Sequence, residues 1–272
     1  MLELQIDAGI AHIRLSRPDK ANALNADFWR DFPKMIDQLD EDPKVRVIVI
    51  SGMGRHFCSG IDLAMLAALM PSADSQPEAD PARLREKLRR KIIAMQDCFT
   101  SLDRCRKPSI AAVHGGCLGA GVDLVTACDI RLASADVRFT VQEINIGMVA
   151  DVGTLQRIGH LLPHGIVRDL AYSGRAMLAD EALRLGFIST MADDQATVIE
   201  KARAMAAGIA QKSPLAISGV KQVLNHARDH SLADGLDYIA TWNAAMLMGP
   251  DLMKGAKAAL TRTEADYDDL LD

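Results

Sequence analysis

At 272 residues, 49% hydrophobic and 25% charged, the chain has the composition of an ordinary soluble globular protein, long enough for one large domain or a core with a smaller appendage. A formal net charge of −5 argues against nucleic acid or an anionic membrane as the main partner. No run approaches the roughly eighteen apolar residues of a membrane span. Five cysteines (Cys58, Cys98, Cys105, Cys117 and Cys128), an odd number without a CxxC pair or zinc spacing, point to free thiols in a reducing compartment. The first residues alternate instead of forming a basic start and an apolar stretch, and the ending YDDLLD is no peroxisomal-type tripeptide, so the expected address is cytoplasmic.

Residues 2–6 and 10–15 alternate around Asp7-Ala8-Gly9 and predict a hairpin. Asn25 then caps a helix to about Leu39, with Phe28, Phe32, Ile36 and Leu39 on one face. The run at 46–50, β-branched from Val47 onward, suits a strand buried on both faces. A glycine-rich loop, SGMGRHFCSGID, follows it. The pattern turns helical from Asp62 and breaks at MPSADSQPEADP (70–81), a polar Pro/Ser stretch. An amphipathic helix is expected over 82–105 and a second buried strand over 109–113, ending at HGG. GAG at 119–121 opens a helix, and 130–133 and 138–141 read as short strands. From Thr154 onward the chain reads as almost wholly helical, with stops near Pro163, Gly186 and Pro214. Strands alternating with helices and then helices alone predict an α/β core with an α-helical C-terminal part.

Two strand-to-loop-to-helix junctions carry the glycines: Gly52, Gly54 and Gly60 after the first buried strand, and Gly115, Gly116, Gly119 and Gly121 after the second. Glycine lets backbone N–H groups turn outward, and a helix start adds free N–H groups with a positive dipole end. Two such junctions, if they converge, hold a developing negative oxygen between two amides. Neither is a phosphate loop, and GCLGAG lacks the spacing of a dinucleotide fingerprint. Cys58 and Ser59 lie too close in sequence to His56 for a usable dyad, with no GxSxG or cysteine-protease signature. His226 and His230 share a helix face without a third ligand, so no metal is expected.

Asp123, Glu143 and Asp151 carry the chemistry. All three sit among small and apolar residues, and no Lys or Arg lies within four positions of Asp123 or Glu143. An unpaired carboxylate in an apolar setting costs several kcal/mol unless protonated or hydrogen-bonded, and the natural use of such a group is proton transfer near neutral pH.

With RPDKANALN (17–25), GRHFCSGIDL (54–63), the glycine segment from His114, ADEALRLGFIS (179–189) and KSPLAISGVKQ (212–222), the sequence resembles the crotonase (enoyl-CoA hydratase/isomerase) superfamily over nearly its whole length. Within it, HGGCLGAGVDLVTACDIR, the acid-plus-eight spacing that ends in ADVGTLQR and the segment beginning RDHS are similar to the Δ3,5-Δ2,4-dienoyl-CoA isomerases. Hydratases usually carry glutamate where Asp123 stands and glycine near Asp151. The resemblance implies an α/β crotonase-like stack of ββα turns followed by an α-helical trimerisation region. Residues 1–195 would form the core domain with the acyl-CoA site, and 196–272 a helical oligomerisation region assembling trimers or a dimer of trimers. Ile217, Val220, Val223 and Leu224 would be buried within and between subunits.

The same resemblance implies that the amides of Ile61 and Ala120 form the oxyanion hole for the thioester. Ser59, Gly60, Ile61, Asp62 and Leu63 would line the acyl and pantetheine path, and Lys20, Ala21, Ala23 and Leu24 the CoA arm. Asp123, Glu143 and Asp151 match the three acids of the isomerase pocket. The substrate is then an acyl-CoA thioester with no separate cofactor, since the CoA moiety belongs to the substrate. The expected reaction converts 3,5-dienoyl-CoA to 2,4-dienoyl-CoA in fatty acid degradation, with Glu143 acting at C2, Asp151 at C6 and Asp123 placing or tuning them. An enoyl-CoA hydratase and a non-catalytic binding scaffold are the alternatives. Two departures stand out: Ala120 replaces the usual middle glycine, so its φ must suit a Cβ, and the C-terminal ending lacks the aromatic and basic residues that many members place near the CoA adenine.

Overall fold

A computed structural model describes residues 1–67 and 80–270. The hairpin forms as expected: β1 (Leu2–Asp7) pairs antiparallel with β2 (Ile10–Leu15). Helix α1 (Ala26–Glu41) starts at Asn25, whose side chain accepts from the Phe28 N–H, and it buries Phe28, Phe32, Ile36 and Leu39. Strand β3 (Val47–Gly52) and helix α2 (Leu63–Ala67) flank the first glycine loop. Of the polar stretch expected at 70–81, all but Asp80 and Pro81 lies outside the described residues. Asp80 caps helix α3 (Pro81–Arg104), which leads to β4 (Ser109–Val113).

Beyond β4 come β5 (Gly116–Leu118), α4 (Ala120–Ala127), β6 (Ile130–Ser134), β7 (Arg138–Thr140) and the short α5 (Thr154–Arg157). The rest is α6 (His164–Ser173), β8 (Met177–Leu178), α7 (Ala179–Arg184), β9 (Thr190–Ala192), α8 (Gln195–Ala210), α9 (Pro214–Asp229), α10 (Leu232–Met246) and α11 (Pro250–Thr261). Three short strands were not expected from sequence. β5 lies in the glycine segment, and β8 and β9 interrupt the region read as wholly helical.

Among the described residues, one sheet runs β1-β2-β3-β4-β6-β9, parallel from β2 onward, and a smaller sheet runs β5-β7-β8. The parallel strands explain the unbroken apolar runs. Alternate residues of β3 and β4 serve two cores: Ile48, Ile50, Ala111 and Val113 face the larger one, with Phe28, Phe32 and Phe99. Val47, Val49, Ile110 and Ala112 face the smaller one, completed by Val198, Ala202 and Ala206 of α8. The division at 195/196 coincides with the start of α8, the helix that covers the sheet. The helices leading away from it begin with α9.

Helix α9 is tied to the core by a buried cation. Lys221 Nζ donates to Leu102 O (2.8 Å), Lys107 O (3.0 Å) and Asp129 Oδ2 (2.9 Å). His226 of α9 and His230, which caps it, stack with their rings 3.8 Å apart, and His226 stacks 4.2 Å from Tyr238 of α10. No helix among the described residues is long and apolar enough to cross a membrane. Lys221→Met should destabilise the protein by about 3 kcal/mol, because it removes the cation paired with Asp129, which keeps only its hydrogen bonds from Ser109, and takes a donor from two carbonyls. In urea the variant should still unfold in one transition at a lower midpoint. A separate early transition for the C-terminal helices would show that they fold independently of the sheet.

Candidate active site

The two glycine loops leave the carboxyl ends of neighbouring parallel strands, β3 and β4, the edge where α/β sheets hold ligands. They are laced together. Phe57 N–H donates to His114 O (3.0 Å), Cys58 N–H to Gly116 O (3.1 Å) and Leu118 N–H to Cys58 O (2.9 Å). On the other side, Leu24 N–H donates to Gly60 O (2.8 Å) and Asp62 N–H to Leu24 O (3.0 Å). That parallel bridge uses the groups flanking Ile61, so the Ile61 amide itself faces away from Leu24. Ala120 is the first residue of α4, and its N–H has no acceptor within the helix.

Gly60 and Gly119 make the approach possible. Gly60 has φ +94°, and a Cβ there would stand 3.0 Å from Leu118 O and 3.5 Å from Ala120 N. Gly119 has φ +50° and ψ −122°, a conformation open only to glycine. Ala120 is not among the residues with positive φ, so its Cβ is tolerated. The strain falls on Gly119 instead.

Ile61 and Ala120 both line a cavity of about 940 Å³. Its wall holds Lys20, Ala23, Ser59, Gly60, Ile61, Asp62, Leu63, Ala120, Glu143 and Asp151, all expected from sequence. Three expected residues lie off the wall. Leu24 is fully buried in the core, Asp123 is fully buried beneath the site, and Ala21 is the left-handed cap (φ +48°) of the turn at Pro18–Lys20. The sequence reading missed Trp29, Ile92, Met95, Met148 and Val152, which supply much of the apolar wall. It also missed Asn22, a fully buried pin whose Nδ2 donates to Met53 O (2.9 Å) and His56 O (2.8 Å). Arg17 lines the cavity and fixes Asp62 (2.5 Å). The one signal pointing to the α3 residues was an amphipathic stripe, which a core-facing helix shares.

Glu143 opens a 3-10 turn, Glu143–Ile146, closed by Gly147 at φ +75°. Its Oε1 lies 3.2 Å from where a Cβ on Gly119 would be, and its Oε2 is buried without a partner. Burial raises the Glu143 carboxyl above its ordinary range, and the charge of Asp151 raises it further. Burial raises Asp151 as well. No cation pairs with either acid among the described residues. Beneath them, Asp123 Oδ1 accepts from the Thr154 N–H (2.5 Å) while its Oδ2 has no partner. Burial pushes Asp123 up to about 7, against the hydrogen bonding to Thr154, and the charge of Glu143 adds to the rise.

A cysteine nucleophile does not fit. Burial pushes Cys58 up to about 12, and His56 Nδ1 accepts the Gly116 N–H (3.0 Å). Among the described residues no group of three His, Cys, Asp or Glu side chains is placed to hold a metal ion. Ile61, Ala120 and two carboxyl groups with no ion-pair partner among the described residues share one wall, an arrangement that suits proton transfer next to a carbonyl whose oxygen gains charge.

Residues 5–269 match the enoyl-CoA hydratase/isomerase family model. The chain is 43% identical over 261 residues to the peroxisomal Δ(3,5)-Δ(2,4)-dienoyl-CoA isomerase of Arabidopsis thaliana, covering 96% of this chain and 93% of that one. It is 44% identical over 258 residues to the mitochondrial Δ(3,5)-Δ(2,4)-dienoyl-CoA isomerase of Homo sapiens, covering 94% and 77%. Its fold is that of the enoyl-CoA hydratase crystal structure from Polaromonas sp. JS666, with a TM-score of 0.88 at 24% identity over 98% and 99% of the two chains.

A raised carboxyl has a definite stability signature. Between about pH 4 and about pH 7 the folded protein keeps a proton on Asp123 that the unfolded chain has released, so stability falls as pH rises through that window. Asp123→Asn keeps an acceptor for the Thr154 N–H and removes the titration. Its stability relative to the parent should grow across the window by up to about 4 kcal/mol, at about 1.36 kcal/mol per pKa unit. Urea titrations of both proteins across the window measure this, and a constant difference would show that Asp123 is ionised throughout.

Proposed function

The chain belongs to the enoyl-CoA hydratase/isomerase family, and we propose that it moves the two double bonds of a 3,5-dienoyl-CoA into 2,4 conjugation. It is an acyl-CoA enzyme of that family, and the dienoyl isomerisation is the finer reading. The observation that carries it is the placement of Glu143 and Asp151, both raised by burial and both without a cation, on the wall that also presents Ile61 and Ala120.

The reaction removes a proton at C2 and delivers one at C6. Loss at C2 pushes charge onto the thioester oxygen, which the amides of Ile61 and Ala120 receive; removing one oxyanion donor typically costs about 2.7–4 kcal/mol. Glu143 takes the C2 proton and Asp151, whose carboxyl burial raises, supplies C6 in its protonated form. Two carboxyl groups in different settings divide the roles of base and acid. Asp123 tunes the pair from below and touches no substrate atom. A hydratase would aim two acids at one water, which leaves a third buried acid without work.

Ser59, Gly60, Asp62 and Leu63 then border the acyl and pantetheine path, and Lys20 and Ala23 the CoA arm. Trp29, Ile92, Met95 and Val152 give the acyl chain an apolar wall. Helices α9 to α11 form the oligomerisation region and assemble trimers or a dimer of trimers. What supports this is their exposed apolar surface: Val220 is 56%, Leu224 66%, Met248 89% and Leu260 86% exposed in a single copy. The cytoplasmic address expected from the sequence stands beside relatives whose names place them in peroxisomes and mitochondria.

Incubation with 3,5-dienoyl-CoA should produce the longer-wavelength absorbance of a conjugated 2,4-dienoyl thioester. Loss of enoyl absorbance from 2-enoyl-CoA would instead mark a hydratase, and inertness toward both a scaffold. Asp151→Asn is nearly isosteric and should lower isomerase turnover by about 10²–10⁴-fold with the fold intact. An active but destabilised variant would make Asp151 structural and overturn the mechanism.

A further inference from the structure

Two residues after Asp151 the backbone makes a turn that only glycine permits, and a guanidinium lies on it. Gly153 has φ +130°, and a Cβ there would stand 1.9 Å from an Nη atom of Arg157. Arg157 is held in that place from helix α3. Its Nε and Nη2 donate to Asp103 Oδ2 (3.1 and 2.7 Å), and Nη2 also donates to Thr100 Oγ1 (3.0 Å). The ion pair is largely buried, the side chains being 13% and 16% exposed.

We propose that Arg157, clamped across Gly153 onto Thr100 and Asp103, is a positioning residue that sets the aim of the Asp151 and Asp123 carboxyl groups. The inference rests on the isomerase reading given above. Its warrant is that the clamped segment follows directly on Asp151 and binds the Asp123 carboxylate. Thr154, next to Gly153, is the residue whose N–H holds Asp123 Oδ1 (2.5 Å), and Arg157 N–H closes the same turn onto Gly153 O (3.1 Å). Asp151 is fixed on the near side, where Gln96 Nε2 donates to its carbonyl (2.7 Å).

Gln96, Thr100 and Asp103 follow one another at helical spacing, so a single polar stripe of α3 grips the acid-bearing loop at both ends. The stripe is itself anchored in the C-terminal helices: Arg228 Nη1 donates to Asp103 Oδ1 (3.2 Å) and Asn225 Nδ2 to Asp103 O (3.0 Å). The charge of Arg157 also acts on Asp123, opposing the rise that burial imposes. A lysine would keep that charge and lose the fork.

The test separates aim from simple stability. Arg157→Lys should lower kcat on 3,5-dienoyl-CoA by about 10²-fold, the cost of a misplacement of about 1 Å, with KM unmoved. Thr100→Val, which removes one arm of the clamp, should lower kcat less and in the same direction. Asp103→Asn combined with Arg157→Lys should be no worse than the poorer single variant, because the two act as one unit. Hydrogen exchange of the Thr154 amide should quicken in Arg157→Lys while the exchange of β3 and β4 stays as in the parent.

A folded Arg157→Lys protein with parental kcat would overturn the proposal. So would losses that raise KM as much as they lower kcat, or that add fully in the double variant. A parent protein inert toward 3,5-dienoyl-CoA would overturn the isomerase reading instead. The Thr154 amide would then decide the clamp alone, and unchanged exchange there would overturn it.

Discussion

The parallel pairing of β3 with β4, Ile48 opposite Ser109 through Ser51 opposite Ala112, is the constraint on which the site depends. Parallel strands end at the same edge, so both glycine loops emerge side by side there. The loops then pair with each other through Cys58 and Gly116, and with the N-terminal segment through Leu24 and Gly60. Every backbone group used in that lacing fixes the direction of those left over, Ile61 N–H and Ala120 N–H among them. An amide aimed at empty space is costly to improvise and cheap to inherit from a rigid frame. Gly60 and Gly119 supply the close approach: a β-carbon at Gly60 would crowd Leu118 O, and Gly119 holds a positive φ that a side chain rarely adopts.

The acids need the same rigidity for a different reason. Glu143, Asp151 and Asp123 sit with no cation paired to them among the described residues, and burial raises all three. In water they would relax to ordinary carboxylates. Here the fold holds them at graded depths: Asp123 fully enclosed, Glu143 and Asp151 at the cavity wall. Grading by depth is what lets neighbouring carboxyl groups differ in proton affinity. The clamp of α3 on the loop after Asp151 extends this frame into the C-terminal helices, so the helices that expose Val220 and Leu224 also steady the acids.

Where periodicity or a local cap decides structure, the sequence was legible. Asn25 and its four-residue apolar spacing marked α1, and the β-branched run at 47–50 marked a strand buried on both faces. The glycine junctions and the three acids were visible because carboxylates and glycines stand out against an apolar background. Three kinds of feature were hidden. β5, β8 and β9 are two or three residues long and have no period to show. Ile92 and Met95 turn toward a cavity, yet their spacing is that of any core-facing helix. Arg157 and Asp103 meet across 54 residues of chain, and no local rule brings them together. Leu24 shows the opposite case: it matches a motif of the CoA arm, but its place is in the core, and its backbone does the work.

The central claim is that two carboxyl groups on one wall serve two different carbons of the same substrate, not one water. The most direct measurement is NMR of the product formed from 3,5-dienoyl-CoA in D2O. The account predicts a 2,4-dienoyl thioester that carries deuterium at C6, delivered by Asp151, with no oxygen added to the chain. A 3-hydroxyacyl product, or a conjugated product without deuterium at C6 while solvent exchange at Asp151 is free, would contradict it.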